Sequence, residues 1–97
     1  MYEIEFTATA LEDLTVFRKF DQQTIIDGNE SQLQYEPEAV TRHRKKLRPN
    51  NVAAWELRLG KFRVFYNVDV ERFLVSIEAV GFKVGNVLFI RGKQRFL

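Results

Sequence analysis

The stretch Trp55 to Val68, WELRLGKFRVFYNV, leaves its part of the chain little choice of local structure. Trp55, Leu57 and Leu59 alternate with Glu56 and Arg58, and Phe62, Val64 and Tyr66 alternate with Arg63, Phe65 and Asn67, the period expected of half-buried strands. Gly60-Lys61 between them suits a two-residue type II′ turn, because glycine accepts the positive φ required at its first position. That turn sets the register: Leu59 faces Phe62, Arg58 faces Arg63, and Leu57 faces Val64. Two arginines directly opposite one another repel. Either an anion is held between them, or both guanidiniums splay into solvent where the repulsion is screened.

At 97 residues and 45% hydrophobic, the chain has the material for one domain around a single core. It has no cysteine, which rules out a disulfide framework or a thiolate metal site and fits a reducing cytoplasm. No apolar run approaches a membrane span, and the opening MYEIEF lacks the basic-then-apolar layout of a signal peptide, so a cytoplasmic protein is expected. The net charge of +2 conceals an asymmetry: residues 1–40 carry nine acidic and two basic side chains, and residues 41–97 carry thirteen basic and four acidic. A polyanion is therefore expected on the C-terminal part, although an acidic protein segment would be attracted equally well.

In chain order, Tyr2, Ile4 and Phe6 alternate with Glu3, Glu5 and Thr7 and predict a short strand. Thr9-Ala10-Leu11-Glu12 matches a capping box, followed by Leu11, Leu14 and Phe17 at helical spacing. A second helix is expected from Asp21, with Ile25, Ile26, Asn29 and Leu33 on one stripe, Gly28 as a weak point, and Pro37 beyond its end. Arg42 to Arg48, RHRKKLR, is the densest basic run and reads most simply as a solvated surface. Pro49-Asn50-Asn51 turns the chain into the hairpin. Phe73 to Val80, apolar on nearly both faces, reads as a central strand, followed by a short apolar run Val87 to Ile90 and a basic tail with Arg91, Lys93 and Arg95. The expected fold is α+β: an N-terminal strand, a helical hairpin, then a twisted, mostly antiparallel three- to four-stranded sheet in one domain.

No metal or cofactor is expected, since His43 is the sole histidine and no phosphate-binding or dinucleotide-binding glycine motif occurs. His43 reads as a surface or phosphate-contacting residue rather than a catalytic base. What remains is a cationic surface of Arg58, Arg63, Lys83, Lys45, Lys46 and Arg48, with Lys61 at the turn and Arg91 in the tail. Guanidiniums pair bidentately with phosphate, and several cations around one phosphate also stabilise the added charge of a pentacovalent transition state. RNA carries its own nucleophile, the 2′-hydroxyl. Trp55, Phe65, Phe82 and Phe89 are candidates to stack unpaired bases, though aromatics of so small a domain are mostly core.

WELRLGKFRVFY, the apolar strand and VGFK together resemble the RelE/ParE toxin superfamily of bacterial toxin–antitoxin modules. The resemblance implies a cytoplasmic toxin neutralised by a cognate antitoxin and, in the RelE-like branch, a metal-independent endoribonuclease that cuts messenger RNA on the ribosome. It assigns Arg63 to the phosphate-contacting arginine, Arg58 to a basic residue of the preceding strand, and Lys83 to a position that stabilises charge or protonates the leaving oxygen. Glu38 would stand for the general-base glutamate of some members, and Glu56 falls where some ribosome-dependent members have lysine. Phe89 stands where many active members have tyrosine, and it has no proton to donate. Three readings follow: a slow or ribosome-dependent ribonuclease with RNA contacts at Lys45, Lys46, Arg48, Lys61, Phe89 and Arg91; a ParE-like inhibitor of DNA gyrase; or a degenerate toxin acting only in an antitoxin-bound, DNA-binding complex.

Overall fold

A computed structural model describes residues 1–97. The elements run β1 (Glu3–Phe6), α1 (Ala8–Thr15), α2 (Lys19–Leu33), β2 (Arg44–Lys46), β3 (Trp55–Leu59), β4 (Phe62–Asp69), β5 (Leu74–Val84), β6 (Val87–Ile90) and β7 (Lys93–Arg95). The strands form one sheet in the order β2-β3-β4-β5-β6-β7, antiparallel throughout that path. β1 pairs in parallel with the first part of β5, Glu3 facing Leu74, while β6 pairs with the last part of β5. The α+β reading thus holds, but the sheet has seven strands. The two unforeseen ones, β2 and β7, are three-residue basic segments whose side chains carry no apolar alternation, and only their backbone pairing makes them strands.

The β3–β4 hairpin has the register its turn dictates, with Arg58 opposite Arg63 and Leu57 opposite Val64. Gly60 has φ +61°, and Lys61 is not in the positive-φ region, as a type II′ turn requires. Trp55, Leu57, Val64, Tyr66, Val75, Ile77 and Val80 project to the helix side of the sheet, where they meet Ala10, Leu14, Ile25 and Leu33. Fully burying one such aliphatic side chain contributes up to about 1.5–3 kcal/mol. Trp55 stacks on Tyr66 at 6.1 Å, and the Tyr66 hydroxyl donates to the Pro37 carbonyl at 2.8 Å. Gly28 sits where a Cβ would lie 2.6 Å from Leu59 Cδ1, so α2 packs on β3 as closely as a glycine allows. A second core lies on the other face, where Phe65, Ala79, Leu88 and Ile90 are covered by Ala53 and the loop before it. Two packed faces explain why β5 is apolar on both sides.

Local corrections follow from backbone hydrogen bonding. The cap of α1 is Thr7, whose Oγ1 accepts from the Ala10 N–H at 3.1 Å, two residues ahead of the expected Thr9. Either threonine offers the same chemistry, and the N–H of Thr7 is already held by β5 at the Ile77 carbonyl, which places the helix start. The buried face of α1 is Ala10, Asp13 and Leu14, while Leu11 is half exposed. α2 begins at Lys19 without a side-chain cap, and Asp21 lies in its first turn, paired with Arg18 at 3.2 Å.

Between Phe65 and Tyr66 the β4–β5 register slips, so that Phe65 faces Ala79 and Tyr66 faces Ile77, leaving Glu78 as the extra residue of a bulge. Downstream of it Gly81 faces Arg63. A Cβ on Gly81 would stand 2.4 Å from the Phe89 carbonyl oxygen, and backbone cannot rotate aside. Gly81→Ala is therefore expected to destabilise the fold by about 1–3 kcal/mol through forced separation of β5 and β6, measurable as a lowered urea midpoint.

Candidate functional site

Alternation along β3 and β4 places Glu56, Arg58 and Arg63 on the face away from the helices. Arg58 is exposed, and its Nε lies 3.8 Å from Glu56 Oε2. Arg63 is half buried, and its Nη1 donates to the carbonyls of Gly60 at 2.7 Å and Phe62 at 2.9 Å. Burial lowers the pKa of the Arg63 guanidinium, Glu56 counters this, and the Arg58 charge lowers it further. Glu56 pairs with Arg58 and its charge also favours the Arg63 cation, while the two cations face each other across the hairpin. An anion placed between them would relieve both the repulsion and the desolvation.

Beside this pair lies a polar cavity of about 240 Å³ lined by Lys45, Arg48, Glu56, Lys83, Asn86, Leu88, Arg95, Phe96 and Leu97. Each cation reaches it from a different element. Lys45 faces Glu56 across β2–β3, with its Nζ 3.8 Å from Glu56 Oε2. Arg48 comes from the 47–54 loop, which Asn50 organises by accepting from the N–H groups of Val52 and Ala53 and donating to the carbonyls of Arg48 and Ala53. Lys83 comes from β5, anchored by its N–H to the Lys61 carbonyl at 2.8 Å. Arg95 arrives because β7 pairs with β6, opposite Leu88, and its Nη2 donates to Asn51 Oδ1. Arg95 and the buried Glu56 lay in view in the sequence but were not expected in the site. Nothing local to the tail forecasts the β6–β7 pairing, whereas the hairpin register already put Glu56 on the same face as Arg58.

Several other residues expected at the RNA surface lie elsewhere. Phe89 stacks on Phe82 at 5.5 Å on the helix side, because the β5–β6 register puts the two on one face. Arg91 pairs with the buried Asp13, Nε to Oδ1 at 2.8 Å. Lys61, at the hairpin tip, sets its ammonium 5.4 Å from the Phe62 ring centroid. Lys46 is opposite Trp55, so it leaves β2 on the face opposite to Lys45. Within the basic run Arg44 is no surface charge at all: it is buried and donates to the carbonyls of Gln32 in the last turn of α2 and of Glu36 just beyond the helix. The His43 carbonyl accepts from the Arg58 N–H, with its side chain exposed. Trp55, Phe65 and Phe82 are core or near-core aromatics. Burial pushes the Tyr66 hydroxyl above the usual phenol range, only partly opposed by Arg44, and the hydroxyl donates to the Pro37 carbonyl within the helix-side core, away from the cations.

The chain matches no protein-family model and no curated protein. Among solved structures it is similar to a chain of the toxin–antitoxin complex RelBE2 from Mycobacterium tuberculosis, at 28% identity and TM-score 0.74, over 84% of this chain and 91% of that one. The fold is RelE-like. A chain of the archaeal RelE–RelB complex from Pyrococcus horikoshii OT3 shares this fold at 21% identity and TM-score 0.64, over 81% of this chain and 91% of that one. In this RelE-like chain the helical hairpin covers one face of the sheet, and the other face carries the arginine pair and the cation-lined cavity. No helix is long and apolar enough to cross a membrane.

Proposed function

We propose that this chain is the toxin of a toxin–antitoxin pair and that it cleaves messenger RNA, in the setting of the ribosome, without a metal ion. The observation that carries the reading is the register-locked Arg58–Arg63 pair beside a cavity ringed by Lys45, Arg48, Lys83 and Arg95. Opposed guanidiniums suit the two non-bridging oxygens of a phosphodiester, and the surrounding cations stabilise the charge that builds as the 2′-oxygen attacks. Lys83 supplies a proton for the departing 5′-oxygen, with less geometric definition than an arginine would give.

The partner fits the same electrostatics. A cognate antitoxin that lays an acidic segment over the cavity neutralises cations that repel one another in the free chain. The similar chains come from toxin–antitoxin complexes, which supports this part of the reading.

The deciding experiment induces the chain without antitoxin and maps messenger RNA 5′ ends. New ends at ribosome-occupied codons are expected; intact message accompanied by gyrase-dependent DNA breaks would overturn the ribonuclease reading. In the same assay Lys83→Ala is expected to reduce cleavage by roughly a hundredfold, the lower end of what one general acid contributes.

A further inference from the structure

Arg95 stands in the wall between two polar cavities. It lines the cation-ringed cavity with Lys45, Arg48 and Lys83, and it lines a second cavity, of about 240 Å³, with Thr9, Glu78 and Arg91. In that second cavity the natural partner for a guanidinium goes unused. Glu78 is the extra residue of the β5 bulge, its Oε2 accepts from the Ser76 hydroxyl at 2.8 Å, and it forms no ion pair. Arg91 is committed to Asp13 at 2.8 Å. Arg95 is thus the cation left to pair with Glu78, yet its Nη2 donates to the neutral Oδ1 of Asn51 at 3.0 Å. A guanidinium gains more from a carboxylate than from an amide, so the amide bond marks a position worth holding against that competition.

Resting on the reading of the cation-ringed cavity as the RNA site, we propose that Asn51 is a positioning residue: it holds the Arg95 guanidinium at that cavity, with its charge uncompensated, and away from Glu78. An amide suits the task because it supplies an acceptor without cancelling the charge that a phosphate is to meet. The division of labour in the 47–54 loop supports the assignment. Asn50 makes the hydrogen bonds that shape the loop, to Arg48, Val52 and Ala53, whereas the exposed Asn51 side chain bonds to Arg95 alone. With Asn51 truncated, Arg95 turns to Glu78 and the RNA loses one phosphate contact.

The test measures binding of a single-stranded 2′-O-methyl RNA, which offers phosphates but no 2′-hydroxyl to react, across salt concentration. The proteins are wild type, Asn51→Ala, Arg95→Ala, the two substitutions together, and Asn51→Ala combined with Glu78→Gln. The NMR signal of the Arg95 Nε–H is followed in those that keep this arginine. Asn51→Ala is expected to weaken binding about fivefold, the scale of one exposed charge contact, and to flatten the slope of log affinity against log salt by about 0.7, one phosphate of a single strand. Arg95→Ala is expected to lose at least as much, and adding Asn51→Ala to it to change nothing further, since Asn51 acts through Arg95. Glu78→Gln is expected to restore most of the affinity of Asn51→Ala and to return the Arg95 signal toward its wild-type position. Losses that multiply in the Asn51–Arg95 double variant would overturn the assignment, as would an Asn51→Ala protein with wild-type affinity and salt slope. Failure of Glu78→Gln to restore binding would overturn the competition between the two cavities. Should Asn51→Ala not fold, Asn51→Asp decides: it keeps the acceptor but adds a counter-charge, so a wild-type Arg95 signal with weakened binding is expected, and unchanged binding overturns the assignment. Wild type that binds no RNA overturns the reading of the cavity itself, an outcome distinct from wild type and variants that bind equally.

Discussion

Arg63→Ala is expected to abolish growth arrest on induction without antitoxin and to lower RNA cleavage by about two to three orders of magnitude, the usual consequence of removing a charge-stabilising donor from a reacting centre. The chain should remain folded. Arg63 is half buried, but its two hydrogen bonds go to carbonyls of the hairpin turn, where water can replace it on the Gly60 side. Losing such bonds costs about 0.5–1.5 kcal/mol each, and losing the repulsion from Arg58 offsets part of that. Arg63→Lys keeps the charge without the planar fork and should recover only a small part of the rate. Growth after induction, cleavage on ribosomes and a thermal melt of the purified variant check the three statements. Undiminished toxicity in a folded Arg63→Ala protein would remove the ground for the ribonuclease reading.

The largest effect on stability is expected at Asp13, far from the cation site. Its buried carboxylate joins three elements: it sits on α1, accepts from the Val80 N–H of β5 at 3.1 Å, and pairs with Arg91 beyond β6 at 2.8 Å. Asp13→Ala leaves the Val80 N–H without a partner and Arg91 without a counter-charge. With Arg91 partly exposed, the loss should be about 2–4 kcal/mol, below the full cost of breaking a wholly buried pair. That is a large share of the roughly 5–15 kcal/mol typical of a domain, so a clearly lowered thermal midpoint is expected in a melt of the purified variant.

Protonation gives Asp13 a second signature. Burial raises its pKa above the ordinary value, and the Val80 N–H and Arg91 only partly oppose the rise. The folded chain therefore holds a proton at Asp13 over a pH window in which the unfolded chain has lost it. The stability from this group is fully present below the unfolded value and declines as pH rises through the raised one. Urea unfolding at pH values stepped upward from the ordinary carboxylate range should show the advantage of wild type over Asp13→Asn shrinking as pH rises. A constant difference would mean that Asp13 titrates normally.

How much of this was legible in the sequence depended on whether short-range rules were sufficient. The hairpin was: a glycine at the first turn position selects II′ geometry, that geometry sets the register, and the register puts Arg58 against Arg63. The α2 stripe of Ile25, Asn29 and Leu33 and the two-faced β5 were equally plain, because burial imposes its period on the chain. The cap of α1 was read two residues late, since Thr7 and Thr9 are chemically alike and only pairing of β1 with β5 chooses between them.

By itself, then, the sequence determined the central hairpin, the α+β class and the pairing of two arginines, all consequences of alternation and turn chemistry over neighbouring residues. Tertiary structure alone decided which charges share a space. β2 and β7 form because backbone groups find partners across the sheet, whatever their side chains, and that pairing brings Lys45 and Arg95 to the cavity while turning Arg44 inward. The β5–β6 register sends Phe89 to the helix side, and α1 claims Arg91 through Asp13. A cluster built from five strands and a loop has no sequence period, so its membership, including the lone carboxylate Glu56, exists only once the sheet has closed on itself.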